Sequence, residues 1–293
     1  MATTATIRAR SAHARSVQGL PPQGHAAQAA LGQRAAVARV ERAIRSSVRP
    51  PRSRYLQEFA EAFRSFEGRL SEADVLARAA RADVVLVGDY HSLATCQEFM
   101  SSFLGQLSGS DPRENALGLE AVYSAAQPVL EEWRRGGVDE ESLRSRLRFA
   151  RDWGYDWEPY RELFGMSRRN CAAVWGLDSE PRFDLRRVRM RDRHMAGRIL
   201  AMREEHPDAR LVVFVGESHL APGHLPRLLR ENLPGERVLT VLQNVDALYW
   251  QVADGSGPHP EAVSLAEDCI CVFNASPLQK YESYQEYLER WRG

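Results

Sequence analysis

Beyond residue 50 the apolar positions of this 293-residue chain fall into two rhythms. Short apolar runs recur at Val84–Val87, Ala116–Leu119, Ala173–Leu177, Val212–Val215, Val238–Leu242, Ala247–Val252 and Cys269–Phe273. Runs of this length, bounded by Gly or polar residues, predict buried strands. Between them the spacing shifts to three and four. Leu56, Phe59, Phe63 and Phe66 predict a helix over 55–66, and Ser71 with Asp74 three residues on marks the start of another over 71–80. Leu93, Cys96, Met100, Phe103 and Leu107 form the buried stripe of a third. Helices are expected near 124–133 and 140–149, on either side of Gly136-Gly137. A long helix near 184–204 turns Leu185, Val188, Met195, Ile199 and Met202 inward and carries Asp192 on the same face. A buried acid there needs a partner or a metal, so Asp192 either supports a site from behind or, as the preferred reading, pairs with a nearby arginine. A short helix near 227–231 follows the break at Pro222–Pro226, and a last helix over 278–291 is expected to bury Leu278, Tyr281, Tyr284, Leu288 and Trp291. Asp254–Pro260 reads as a turn-rich loop. Strands alternating with helices predict an α/β fold, with a central mostly parallel or mixed sheet and helices on both faces.

Two of the strands end alike. Val84-Val85-Leu86-Val87-Gly88-Asp89-Tyr90-His91 returns as Val212-Val213-Phe214-Val215-Gly216-Glu217-Ser218-His219. Any strand-to-helix turn favours Gly, Asp and Ser, so one copy signifies little. Two copies predict a shared site, because ligands of open α/β sheets sit beyond the carboxyl ends of the strands. Ala116–Glu120 and Ala173–Asp178 also end in acids, which adds Glu120 and Asp178 to the same edge. His224, five residues after His219, is placed either at this mouth or in solvent.

Charge divides the chain. Residues 1–50 hold eight Arg and one Glu, a net of +7, and the rest holds 31 basic and 38 acidic residues, a net of −7. A disordered basic tail over 1–50 and a single domain over 51–293 are expected. The acidic balance of the domain argues against general nucleic-acid binding. Lys280 is the one lysine against 38 arginines, a bias expected of a GC-rich genome rather than of function. The four cysteines match neither a zinc spacing nor C-x-x-C, so reduced, packed thiols are expected. No stretch reaches the roughly 20 apolar residues of a membrane span. The tail has neither the apolar core of a secretory signal nor a cysteine for a lipid anchor, so a cytoplasmic location is the expectation.

The strand-end residues suggest chemistry. His91, Glu120 and His219, with Asp89, are of the types that ligate a divalent metal such as Mn, Zn or Fe and leave a position for water. Alternatively a single histidine works as a metal-free base oriented by an acid, with His91, Glu120, Glu217 and His219 as the catalytic candidates. Nucleophile-elbow, P-loop and dinucleotide fingerprints do not occur. The aromatic run Trp153–Tyr160 is either a wall over a flat ligand or an anchor of its helix to the core.

Val87–His91, Leu119-Glu120, the run Trp153–Tyr160, Arg191-Asp192 with Met195, Ala196 and Ile199, and Val215–His219 together resemble the ChaN-like haem-binding uptake family, of the superfamily that includes the Tiki and TraB proteins and the erythromycin esterases. The likeness spans roughly half the chain, and Asp89 stands where family members often carry glutamate. It implies a haem- or iron-binding protein, with Tyr155 and Tyr160 as haem-binding candidates and His224 beside them at the mouth. The alternative it implies is a metal-dependent or His/Glu hydrolase, as in the Tiki proteases and the esterases. A third is a relic that keeps the pocket only as packing. The expected partner is haem or another small molecule, and a homodimer is compatible with the sequence.

Overall fold

The computed structural model describes residues 54–180, 188–253 and 261–290, together with Arg39, Val40 and Ala43, and the side chains of Arg54, Tyr55 and Leu56 are not described. The chain divides into two compact units, Met1–Ser47 and Val48–Gly293. The expected basic tail, the loop at Asp254–Pro260, and the inward positions of Leu56, Leu185 and Trp291 fall outside the described residues.

The second unit is an α/β sandwich around one mixed sheet. In chain order its elements are α1 (Arg54–Ala62), β1 (Gly68–Leu70), α2 (Glu72–Arg81), β2 (Val84–Asp89), α3 (Ala94–Ser110), β3 (Asn115–Tyr123), α4 (Gln127–Arg134), α5 (Glu140–Arg146), α6 (Phe149–Asp152), α7 (Trp157–Asn170), β4 (Cys171–Asp178), α8 (Val188–Glu205), β5 (Arg210–Gly216), α9 (Leu225–Asn232), β6 (Val238–Gln243), α10 (Asp246–Ala253), β7 (Ala262–Ala266), β8 (Cys269–Val272) and α11 (Pro277–Arg290). Short 3₁₀ turns at Ser124–Ala126 and Glu217–Leu220 follow β3 and β5. The strand order is β1-β7-β8-β6-β2-β5-β3-β4. Strands β8, β6, β2, β5, β3 and β4 run parallel, and β7 pairs antiparallel with both β8 and β1.

Alternation along the strands sorts the core into two layers. Val85, Val87, Leu117, Leu119, Val212 and Phe214 face α2, α3, α4 and α7 through Ala79, Met100, Leu104, Trp133, Leu163 and their neighbours. Val84, Leu86, Ala116, Leu211, Val213 and Val215 face α8, α9 and α10 through Met195, Ile199, Leu229 and Leu248. Every residue of β2, β5 and β6 is buried, as continuous apolar runs require of strands covered on both sides. The Ser71 side chain accepts from the Asp74 N–H while Asp74 accepts from Ser71, a capping box that starts α2 where the sequence places it.

Two expectations are corrected, and two strands lie outside the predicted pattern. Ala247–Val252 is not a strand but most of α10; its buried residues, Leu248 and Val252, lie four apart, and Asp246 occupies its first turn. The strands β1 and β7 escape the pattern because they are short, partly polar, and lie at one margin of the sheet. On α11, Tyr281 and Tyr284 are exposed at 48% and 43%, and the buried residues are Pro277 and Lys280. A lysine reads as polar in any periodicity count, so the inward face was assigned to the tyrosines.

Candidate functional site at the carboxyl ends of the parallel strands

β2 and β5 pair with Asp89 opposite Gly216, and β3 lies on the far side of β5. The two G-x-x-H turns therefore leave the sheet side by side, with the end of β3 next to them. This is the placement that strand-end chemistry needs.

The first turn holds one imidazole. Asp89 is buried, and its Oδ2 accepts from His91 Nδ1 at 2.9 Å and from the Tyr160 hydroxyl at 2.6 Å. Its Oδ1 accepts from Gln97 Nε2 at 2.5 Å. An ionised carboxylate only accepts, so the His91 proton sits on Nδ1. The ring lies against Trp153, with centroids 4.4 Å apart, and Tyr155, at 5.1 Å. Its side chain is 22% exposed.

The second turn holds another, fully enclosed. His219 Nδ1 meets Asp192 Oδ1 at 2.5 Å, and Nε2 lies 3.3 Å from Glu120 Oε1. Burial alone would push this imidazolium down; the Glu120 and Asp192 carboxylates outweigh it and raise it from 6.5 to about 9. Asp192 does have a partner, but not the expected arginine. Its Oδ2 accepts from His224 Nδ1 at 2.9 Å, and His224 Nε2 meets Glu58 Oε2 at 2.8 Å.

Glu120 joins the halves. Its Oε2 accepts the Gly216 backbone N–H at 2.5 Å and lies 3.9 Å from His91 Nε2, and its Oε1 accepts from Arg191. Arg191 also makes a two-pronged pair with buried Asp178, both bonds at 2.8 Å. Burial would raise the Glu120 carboxyl, but His219, Arg191 and His91 around it hold it well below the carboxylate range. Gly216 allows this approach: a Cβ there would stand 3.1 Å from the His91 ring and 3.2 Å from Glu120 Oε2.

Of the named candidates, His91, Glu120, His219 and Asp89 come together. Glu217 turns the other way. It takes Lys280 Nζ at 3.2 Å, with Nζ 4.5 Å from the centre of the Tyr90 ring. Burial pushes its carboxyl up, and Lys280 opposes this. Tyr155 borders a cavity of about 170 Å³ with His91, Gln97, Asp156, Tyr287 and Arg290. Its ring stacks on Tyr287, centroids 4.6 Å apart and planes at 16°. Tyr160 does not reach the cavity, because its hydroxyl is committed to Asp89; burial and that carboxylate raise it well above the usual phenol. Nor is His224 at this mouth or in solvent. It is 3% exposed and borders a separate cavity of about 360 Å³ with Glu58, Arg189 and Asp192. A larger cavity, about 820 Å³, opens beside Arg81 and Arg237 near the amino end of β6 and touches none of these groups. The sequence reading missed Gln97, Glu58 and Lys280. Only Lys280 carried a signal, as the sole lysine.

The metal expectation for His91, Glu120, His219 and Asp89 finds no support. Among the described residues no group of three or more His, Cys, Asp or Glu side chains is placed to hold a metal ion. The donor chemistry agrees: Glu120 already accepts from a guanidinium and an amide, and a cation beside Arg191 would meet like charge. Among the described residues no helix is long and apolar enough to cross a membrane.

Residues 75–190 match the model of a family described as haem-binding uptake, Tiki superfamily, ChaN. Solved structures with a similar fold include that of cofacial haem binding to ChaN of Campylobacter jejuni, 14% identical, with a TM-score of 0.49 over 60% of this chain and 87% of that one. Another is the type III effector HopBA1, 11% identical, with a TM-score of 0.52 over 73% of this chain and 98% of that one. No curated protein matches. The stretch that supplies the first G-x-x-H turn, Glu120 and the aromatic run is thus the part of the chain that is similar to this ChaN family of the Tiki superfamily.

Proposed function

We propose that the mouth above His91 takes haem against the wall formed by Tyr155 and Tyr287. What supports this most is the stacked tyrosine pair beside His91, with His91 and Tyr155 both inside the stretch matched by the haem-binding family. Histidine and tyrosine are both haem axial ligands, and these residues line the cavity. Arg290 at the rim is a cation suited to a carboxylate substituent. The cavity, about 170 Å³, is smaller than the ~300–1,000 Å³ of sites that enclose small ligands. The residues therefore suit a flat group lying against the mouth rather than one enclosed by the fold. When bound, haem supplies the redox and ligand-binding chemistry of its iron. The chain's part is to orient the imidazole through Asp89, present an aromatic face, and keep Glu120 and His219 charged behind it. Titration of the purified chain with haemin, followed by the Soret band, tests this. His91→Ala and Tyr155→Phe are each expected to change the bound spectrum or weaken binding. A wild-type protein that produces no Soret change, or variants identical to it, would overturn the reading.

A second reading, hydrolysis by activated water, is favoured by one observation. Asp89 is itself held by Gln97 and Tyr160 and fixes the His91 tautomer, the arrangement of an oriented general base. His219, an imidazolium at neutral pH, would stabilise negative charge rather than take a proton. Turnover of ester or amide substrates that disappears in His91→Ala is the expected result. Turnover unchanged in His91→Ala would refute it.

A further inference from the structure

Glu58 belongs to α1, which precedes the family-matched stretch, yet its carboxylate reaches the second turn. We infer that Glu58 and His224 are positioning residues for His219, clamping Asp192 and through it fixing how the His219 ring faces Glu120.

The donor count carries this inference. Asp192 is buried and gives one oxygen to His219 Nδ1 and the other to His224 Nδ1, at 2.5 and 2.9 Å. A carboxylate only accepts, so both Nδ1 atoms bear protons. The other nitrogen of His224 faces a second carboxylate, Glu58, at 2.8 Å. A neutral imidazole has one N–H and would set a lone pair against one of the two acids. His224 is therefore the doubly protonated ring, and both carboxylates hold it in place. With Glu58 gone, the outer nitrogen loses its acceptor and His224 reverts to one proton, shared between holding Asp192 and meeting solvent. Asp192 then loses the fixed partner on Oδ2 that sets its angle toward His219.

Among the described residues, the other charged side chains lining this cavity do not substitute for Glu58. Arg189 lies 3.6 Å from Glu58 Oε1 and is 69% exposed, and Arg193 and Arg227 line the same cavity. All three are cations and cannot accept from His224. Arg191 is committed to Asp178 and Glu120. The clamp therefore takes its outer carboxylate from α1. The inference depends on neither haem binding nor hydrolysis.

The test uses the full chain with ¹⁵N-labelled histidine and long-range ¹H–¹⁵N correlation of the imidazoles, eight in all, assigned by His219→Gln and His224→Gln. In the wild type at neutral pH, His224 is expected to show two protonated nitrogens and His219 a downfield Nδ1 proton. Glu58→Ala should cost His224 one of its protons and shift or broaden the His219 Nδ1 proton. Glu58→Gln keeps the length and one acceptor oxygen, and should give a smaller change in the same direction. It also serves if Glu58→Ala fails to fold. Arg189→Ala, which removes the neighbouring cation and leaves the clamp, should leave His219 unmoved. A His219 proton signal indistinguishable from wild type in the folded Glu58 variants would overturn the inference. So would an equal change in Arg189→Ala.

Discussion

The buried His219 gives the fold a stability that fades on the alkaline side. Its imidazolium rises from 6.5 to about 9 on folding because Glu120 and Asp192 outweigh the effect of burial. A group whose folded value is raised binds its proton more tightly in the native state. Its contribution is whole below pH 6.5 and is lost as pH climbs through about 9. The rise corresponds to about 3 kcal/mol. His224 is raised as well, by Asp192 and Glu58 against the effect of burial, and adds to the loss with the same sign. Between pH 6.5 and about 8 the fall belongs to the histidines; above that the buried thiols add to it, because burial raises Cys171, Cys269 and Cys271 from 9.0 to about 12 and Cys96 further still, and the unfolded chain sheds these protons first. Urea unfolding at half-unit steps from pH 6 to 9, at fixed ionic strength and followed by tryptophan fluorescence, reads the loss directly. The midpoint should fall steadily above pH 6.5. In His219→Gln, starting stability should be lower and the fall between pH 6.5 and about 8 shallower. An unfolding free energy that stays level across this range would refute the reasoning, as would a wild-type slope retained in His219→Gln.

Glu120→Ala strips Arg191, His219 and the Gly216 N–H of a buried acceptor, and chemical denaturation should show a loss of about 3–5 kcal/mol. Gly176→Ala should cost about 1–3 kcal/mol by the same assay, because its Cβ would stand 2.6 Å from the Tyr123 carbonyl oxygen and force β3 and β4 apart. Tyr160→Phe removes one of three hydrogen bonds to buried Asp89, and a loss of about 1–2 kcal/mol is expected with the backbone unchanged.

The strand ends were legible because a β-branched run, a glycine and a polar group is a local pattern, and its recurrence at Gly88 and Gly216 survives without knowledge of topology. What the pattern could not supply was adjacency. That β5 sits between β2 and β3, and so brings Glu120 against both turns, depends on long-range pairing. The partners of Glu58 and Lys280 were hidden for the same reason, lying far along the chain from them. Tyr160 and Asp192 were assigned by their type and helical face, but their partners are decided by neighbours on other elements. Tyr160 belongs to Asp89, and Asp192 to two histidines rather than an arginine. The α11 face was misread because Lys280 is buried only where Glu217 and the Asn244 carbonyl receive it. The segment Ala247–Val252 shows how a short apolar run without a glycine or proline can be read with either period.

That the second turn holds a buried run of alternating charges, with His219 an imidazolium between Glu120 and Asp192, is tested most directly by imidazole ¹⁵N spectroscopy of the wild-type protein at pH 8. An ordinary histidine, titrating near about 6.5, is neutral there. Both ring nitrogens of His219 should still carry protons, with Nδ1–H far downfield in its bond to Asp192. A His219 that is neutral at pH 8, with a single protonated nitrogen, would contradict this arrangement.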